Sequence, residues 1–221
     1  MAPKAGNAIT DDDKRRRRRD LIEAARRLFR ERRETPPVAD IAAATGLAKG
    51  TVYRYFATKD EIFVALIEDD FRALFAVLDA MLESLPAAPE RAAPAFARAY
   101  RETLAKLDTL LPLASLANGV FERNLPVEAM RGFKRSLAER LVAAGGRLES
   151  RFASLPPGGG AALLLHTYAL TLGLWQALDY PAALRAILGE PALRPLDLEF
   201  AEEVETATAT LWRGALGSRP A

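Results

Sequence analysis

The residues able to do covalent or metal chemistry are few. The 221-residue chain holds one histidine and no cysteine. The missing thiol removes disulfides, iron–sulfur clusters, thiolate zinc sites and cysteine nucleophiles. A single histidine, His166, removes every motif that needs two, HExxH included, and no serine or aspartate motif surrounds it. Gly158-Gly159-Gly160 lacks the Lys-Ser/Thr that would follow in a phosphate loop. No enzyme activity, metal or cofactor is therefore expected. What remains is charge. Arg15 to Arg19 run without a break, and residues 1–60 carry 15 basic against 9 acidic side chains, while the remaining residues carry 16 against 20. The overall +2 hides this asymmetry. A basic first quarter on an acidic body suggests a polyanion-binding module at one end; a solvated charged helix is the plainer alternative.

The elements that position this charge read as helices throughout. Half of the residues are hydrophobic, alanine and leucine dominate them, and β-branched residues are sparse, which favours helix over sheet. No strand alternation and no internal repeat is present. Thr10 followed by Asp11, Asp12 and Asp13 suits a helix start, and Leu21, Ile22, Ala25, Leu28 and Phe29 share one face of that helix. After Thr35-Pro36-Pro37 a short helix carries Val38, Ile41 and Ala42, and Gly46 sits where a left-handed stop is wanted. Lys49 to Phe56 reads as a third helix with Val52 and Phe56 inward. Thr58 and Glu61 form a capping box ahead of a long helix that ends at Leu85-Pro86. Two very short helices between longer ones make a helix-turn-helix arrangement.

Beyond it, residues 87–95 read as a linker. Helices are expected over about 90–109, 110–122, 127–152, 161–179 and 197–215, with Gly145-Gly146 interrupting and kinking the third of these. The connection at 180–197 is proline-rich. The longest apolar segment, 161–178, contains His166, Tyr168, Trp175 and Gln176 and is a poor membrane span. No secretory leader is visible, so no membrane association and a cytoplasmic location are expected.

The stretch Ile41-Ala-Ala-Ala-Thr-Gly46-Leu-Ala-Lys49-Gly50-Thr51-Val52-Tyr53-Arg54-Tyr55-Phe56-Ala-Thr58-Lys59-Asp60 closely resembles the DNA-binding signature of the tetracycline-repressor (TetR) family. It follows an apolar first helix ending in Leu28-Phe29. The resemblance covers roughly 45 residues. It implies an all-α fold: an N-terminal three-helix DNA-binding domain with a helix-turn-helix over 10–60, and a C-terminal helical domain over 61–221 that binds a ligand and dimerises. It places the 49–56 helix in the major groove of a double-stranded DNA operator. The residues expected on DNA are Lys49, Gly50, Thr51, Tyr53, Arg54, Tyr55 and Lys59. Gly50 allows close backbone approach, Thr51 offers a hydroxyl and a methyl, the tyrosines offer phenols to phosphate, and Lys59 joins the N-terminal amides of the next helix. Two departures stand out. Arg33-Glu34-Thr35 replaces a Gly and an aromatic before helix two, leaving Thr35 as a phosphate contact. Ala48 replaces a frequent serine cap, a loss worth about 1 kcal/mol.

In the second half, helix 161–179 is apolar almost all round and must be buried on two sides. A partner copy supplies the second side, as the family's four-helix-bundle dimers imply. Leu164, Leu172, Phe200, Val204 and Leu211 are the expected interface residues of this homodimer. The expected effector site is lined by Phe96, Tyr100, Asn118, Phe121, Glu122, His166, Tyr168, Trp175 and Gln176, with His166 alternatively a core or interface residue. Its apolar lining suits a hydrophobic or aromatic small molecule. The expected function is a ligand-responsive transcriptional regulator, a repressor released from a palindromic operator by its effector. The alternative is a constitutive dimeric DNA-binding or architectural protein with no effector.

Overall fold

The computed structural model describes residues 10–117, 121 and 125–217. Among them every regular element is a helix, which agrees with the all-α expectation. Helix α1 spans Asp11–Arg32. Thr10 stands in extended geometry before it and its Oγ1 accepts the Asp13 N–H at 3.1 Å. The three acids of the first turn face the positive end of the helix dipole. The helix stops at Arg33, in left-handed geometry at φ 58°, and Arg32 pairs with Asp40 of the next helix.

Helix α2 (Val38–Ala44) is followed by Gly46 at φ 66°, the left-handed position only glycine takes without strain. Helix α3 is Lys49–Val52, shorter than the expected 49–56. Ala48 supplies no side-chain cap, and residues 53–55 form a turn in which the Val52 carbonyl accepts from both Tyr55 (2.9 Å) and Phe56 (3.1 Å). The chain has to leave helical geometry there, because Thr58 must be extended to cap α4 (Lys59–Ser84). The expected capping box is formed: Glu61 N–H donates to Thr58 Oγ1 at 3.2 Å, and the Glu61 carboxylate accepts from Ala57 N–H at 2.8 Å.

The body begins earlier than a linker at 87–95 would allow. Helix α5 is Pro89–Lys106, with Pro89 in the first turn and Pro94 inside. Proline at a helix start forfeits no intrahelical bond, and Pro94 forfeits one, so a proline-rich stretch still folds as helix. Helix α6 is Leu110–Leu116, α7 Val127–Arg151, α8 Gly159–Leu178 and α10 Phe200–Gly217. Between the last two lie a one-turn α9 (Ala182–Arg185) and a 3-10 turn at Arg194–Leu196.

Helix α7 passes through Gly145-Gly146 without the expected interruption. These glycines serve packing instead. A Cβ on Gly160 would sit 2.1 Å from the Gly145 carbonyl oxygen, and one on Gly145 would sit 2.3 Å from the Ala161 nitrogen. The backbones of α7 and α8 therefore touch. In the body, α10 packs on α5 and α8, and α7 on α8 and α4. In the head, α1 packs on α4, and α2 on α1 and α3. One aromatic ladder joins the two parts: Phe29 lies 6.4 Å from Phe63, and Phe63 stacks on Phe121 at 6.2 Å.

Candidate nucleic-acid interface and effector cavity

Val52 and Phe56 are both buried, as the spacing required, and they orient the rest of the α3 region. Lys49, Gly50, Tyr53 and Arg54 are exposed and Thr51 is half-buried. Tyr53 keeps 45% of its surface. Tyr55 differs from it, because its ring packs partly against the core. Gly50 has ordinary helical geometry, and a Cβ added to it would meet nothing within 4 Å. Nothing inside the protein therefore requires glycine there, although glycine costs a helix about 1 kcal/mol against alanine. A surface pressed against the backbone from outside is what a glycine there would accommodate.

Lys59 opens α4, and its Nζ donates to Thr35 Oγ1 at 3.0 Å. Two residues 24 positions apart thus meet at the start of α4, an arrangement able to hold one phosphate. The arginine run divides. Arg15 and Arg16 pair with Asp12 and Asp13 one turn back. Arg18 places its guanidinium 4.8 Å from the centre of the Phe56 ring, tying the run to the α3 region.

The described residues expected to form one effector site lie in four places. Phe96, Tyr100 and Tyr168 meet at an internal cavity of about 30 Å³ between α4, α5, α7 and α8. Its walls are mostly apolar, and its polar side chains are Tyr100, Thr167 and Tyr168. The Tyr100 hydroxyl lies 3.3 Å from Thr171 Oγ1, and burial pushes its pKa up to about 12, so it stays protonated. Trp212 donates to Thr167 Oγ1 at 2.9 Å and stacks on Phe96. Phe121 is spent on the Phe63 stack. Trp175 stands in a surface cleft with Phe200, 5.3 Å away at 90°. His166 and Gln176 are exposed, and Gln176 donates to Ser115 Oγ at 3.3 Å. Exposure turns His166 away from the core position weighed for it. Asn118 and Glu122 lie outside the described residues.

Three of the expected interface residues are also corrected. Leu164, Leu172 and Val204 are buried within the subunit, so their surface is already used. Leu211 and Phe200 are half-buried and keep surface to offer. The outward face of α8 is instead Ala162, Leu165, His166, Ala169, Gly173 and Gln176, and that of α10 is Thr206, Thr210, Gly214 and Gly217.

Neither charge balance nor spacing pointed to a buried polar cluster between head and body. Asp70 of α4 is buried, accepts from Arg26 of α1, and accepts from Thr109 Oγ1 at 2.6 Å. Thr109 precedes α6 and accepts in turn from Arg26 at 3.0 Å. Beside it, Arg30 holds Asp108 through both carboxylate oxygens. Burial pushes the Asp70 carboxyl above its ordinary value against the pull of Thr109 and Arg26. Burial also works against the Arg26 charge, but the Asp70 carboxylate holds that guanidinium above its ordinary value. A signal for this cluster existed: Asp70 lies four residues from both Leu66 and Leu74, an acid on the apolar stripe of α4.

A short helix with an outward polar face, mounted on a long helix that continues into a helical body, defines a helix-turn-helix regulator. Residues 21–66 match the family of bacterial regulatory proteins of the tetR type, and residues 68–219 match the tetracyclin repressor-like C-terminal domain. The chain belongs to the TetR family and is a DNA-binding transcriptional regulator. Members of this family are regulators rather than enzymes; they bind DNA operators, dimerise and bind small-molecule effectors. No curated protein matches the chain. Solved structures share the fold. A TetR-family regulator from Mesorhizobium loti has 17% identity and a TM-score of 0.58, covering 92% of this chain and 96% of its own. The regulator PfmR of Thermus thermophilus has 20% identity and a TM-score of 0.51, covering 92% and 100%. The fatty acid degradation regulator FadR of Bacillus halodurans has 17% identity and a TM-score of 0.53, covering 98% and 100%.

Proposed function

We propose that this chain is a cytoplasmic, ligand-responsive repressor that binds a palindromic operator as a homodimer and is released by a small-molecule effector. The observation that carries the DNA contact is Gly50. It costs the fold stability and has no internal use, on a face otherwise made of Lys49, Thr51, Tyr53 and Arg54. Thr35 with Lys59 would grip a phosphate at the edge of that face. Two such heads on one dimer read two half-sites together, which gives a four-residue helix useful affinity. The reading divides the chain into a DNA-binding head over 10–60 and an effector-binding, dimerising body over 61–221.

The dimer would form across the outward faces of α8 and α10, in which Ala162, Ala169, Gly173, Gly214 and Gly217 are small. Their stripe at four- and three-residue intervals lets helix backbones approach closely, as in a four-helix bundle. The effector reading rests on the apolar cavity bounded by Phe96, Tyr100 and Tyr168. A hydrophobic or aromatic molecule would enter it by parting α7 from α8, since about 30 Å³ admits little more than a water. That near-filled interior is also the observation that favours the second reading, a constitutive dimeric DNA-binding protein.

The test is recovery of genomic fragments bound by the purified protein, followed by titration of the recovered site. A two-fold symmetric site, with log affinity falling against log salt by roughly 0.9 per phosphate neutralised, is expected. A site without symmetry, or a flat salt response, overturns the reading. Release of that DNA by hydrophobic small molecules separates the repressor from the constitutive alternative.

A further inference from the structure

We propose that the cleft walled by Trp175 and Phe200 is a binding site for a flat aromatic molecule carrying a single carboxylate, held by Arg33. The cleft has about 400 Å³ of space, within the roughly 300–1,000 Å³ usual for ligand sites, whereas the internal cavity has about 30 Å³. Its floor is apolar, formed by Leu104 of α5 and Leu111 of α6, both buried. Trp175 and Phe200 meet edge to face at 5.3 Å and both keep exposed ring surface. Such a corner over a leucine floor accepts a planar ring.

Over the leucine floor the charges are matched except for Arg33. Arg101 pairs with Glu205 at 3.1 Å and with Glu102 at 3.6 Å. Asp108 is held by Arg30 at 2.8 Å. The Arg33 guanidinium has no hydrogen bond or ion pair among the described residues. Its backbone N–H is fixed to the Phe29 carbonyl at 2.8 Å, so its base is firmly placed. A lone guanidinium beside an apolar floor suits one carboxylate, which it can bind through two parallel hydrogen bonds. The cleft continues past Trp175 and Phe200 to Asp179, Asp197 and Glu199, with Arg185 among them. None of these acids lies within ion-pair distance of Arg33, and together they repel a second anionic group. The ligand is thus a monoanion whose far end is neutral.

The placement gives such binding a consequence. Arg33 belongs to the head, between α1 and α2, and every other wall belongs to the body. A bound acid therefore bridges the two. The cleft also lies off the outward stripe of α8, because residue 175 is turned about 200° from Gly173 around the helix.

The test is calorimetric titration of the full-length protein with 1-naphthoate, with 1-naphthylmethanol as the neutral isostere and inorganic phosphate as a ring-free anion. Naphthoate is expected to bind at least tenfold more tightly than either. Arg33→Gln should weaken naphthoate tenfold or more, with Arg33→Lys retaining part of the affinity. Ala105→Trp, an exposed position on the cleft wall, should block binding, and Leu137→Trp, which fills the internal cavity, should leave it unchanged. Equal affinity for the alcohol, insensitivity to Arg33→Gln, or loss on Leu137→Trp in place of Ala105→Trp each overturns the proposal. So does the absence of binding at millimolar naphthoate. Because no operator is involved, failure here leaves the repressor reading standing, and failure of that reading leaves this one.

Discussion

Replacing Thr109 by valine tests whether the buried cluster between head and body is a structural joint. The change keeps shape and leaves no cavity. It deletes the 2.6 Å bond to Asp70 and the acceptor for Arg26. A hydrogen bond to a charged group contributes about 1.5–3 kcal/mol, so a loss near 2 kcal/mol is expected. Asp70→Asn goes further. The Arg26 side chain is only 12% exposed and would keep only the solvent-facing Glu23, at 3.3 Å, as a charged partner, so a loss of about 3 kcal/mol, the low end for breaking a buried pair, is expected. Replacing both partners, with Arg26→Met and Asp70→Leu together, should restore most of that loss, because apolar packing removes the burden of desolvation. Urea unfolding followed by circular dichroism ranks the four proteins. Operator titration then separates stability from positioning. The double variant should approach the parent in stability yet bind operator more weakly, since its head is no longer registered against α6. If Thr109→Val unfolds within about 0.5 kcal/mol of the parent, the cluster is not the joint described. If the double variant binds operator like the parent, the positioning role fails.

Gly50→Ala should raise or preserve thermal stability, by up to about 1 kcal/mol, while weakening operator binding; unchanged binding would remove the glycine argument. Thr51→Ala and Tyr53→Phe should each cost about 1–3 kcal/mol of binding per half-site with melting little altered, whereas Phe56→Ala should cost about 3–5 kcal/mol of stability; paired titrations and melts distinguish them. Tyr100 titrates near 12 in the folded chain against 10.0 ordinarily. The unfolded chain sheds that proton first, so stability should fall as pH rises from 10 to 12, by on the order of 2–3 kcal/mol at most. Alkaline denaturant titrations should show this slope in the parent and lack its Tyr100 part in Tyr100→Phe. Leu211→Glu should shift the sedimenting species from dimer toward a monomer of 24.1 kDa, by placing a charge in an apolar seam.

The head was legible because local backbone chemistry decides it. Thr10, Gly46, Thr58 and Glu61 each act within four residues, and each does in the structure what its type and position imply. The end of α3 was misplaced by four residues because two local demands compete there: periodicity would continue the helix to Phe56, but the extended Thr58 cap claims the backbone first. Proline misled in the same way. Pro89 and Pro94 mark a break when read as punctuation, yet Pro89 stands in the first turn, which tolerates proline at little cost, and Pro94 forfeits only one backbone bond.

The body was less legible, because in α8 apolar residues lie on every side and periodicity cannot say which side faces inward. Leu164 and Leu172 were assigned outward on hydrophobicity alone. In the structure Leu163, Leu164, Thr167, Thr171 and Leu172 fill the subunit, and Ala162, Leu165, His166, Ala169, Gly173 and Gln176 face out. In the dimer proposed above, it is this outward side, the less hydrophobic one, that meets the partner. The opposite error hid Asp70. An acid on an apolar stripe reads as a flaw in the pattern, whereas its burial is tolerable only when a cation and a donor arrive from elsewhere. Arg26 comes from 44 residues before it and Thr109 from 39 after it. Such a residue is itself the sign that distant parts of the chain converge, and here they converge where head meets body.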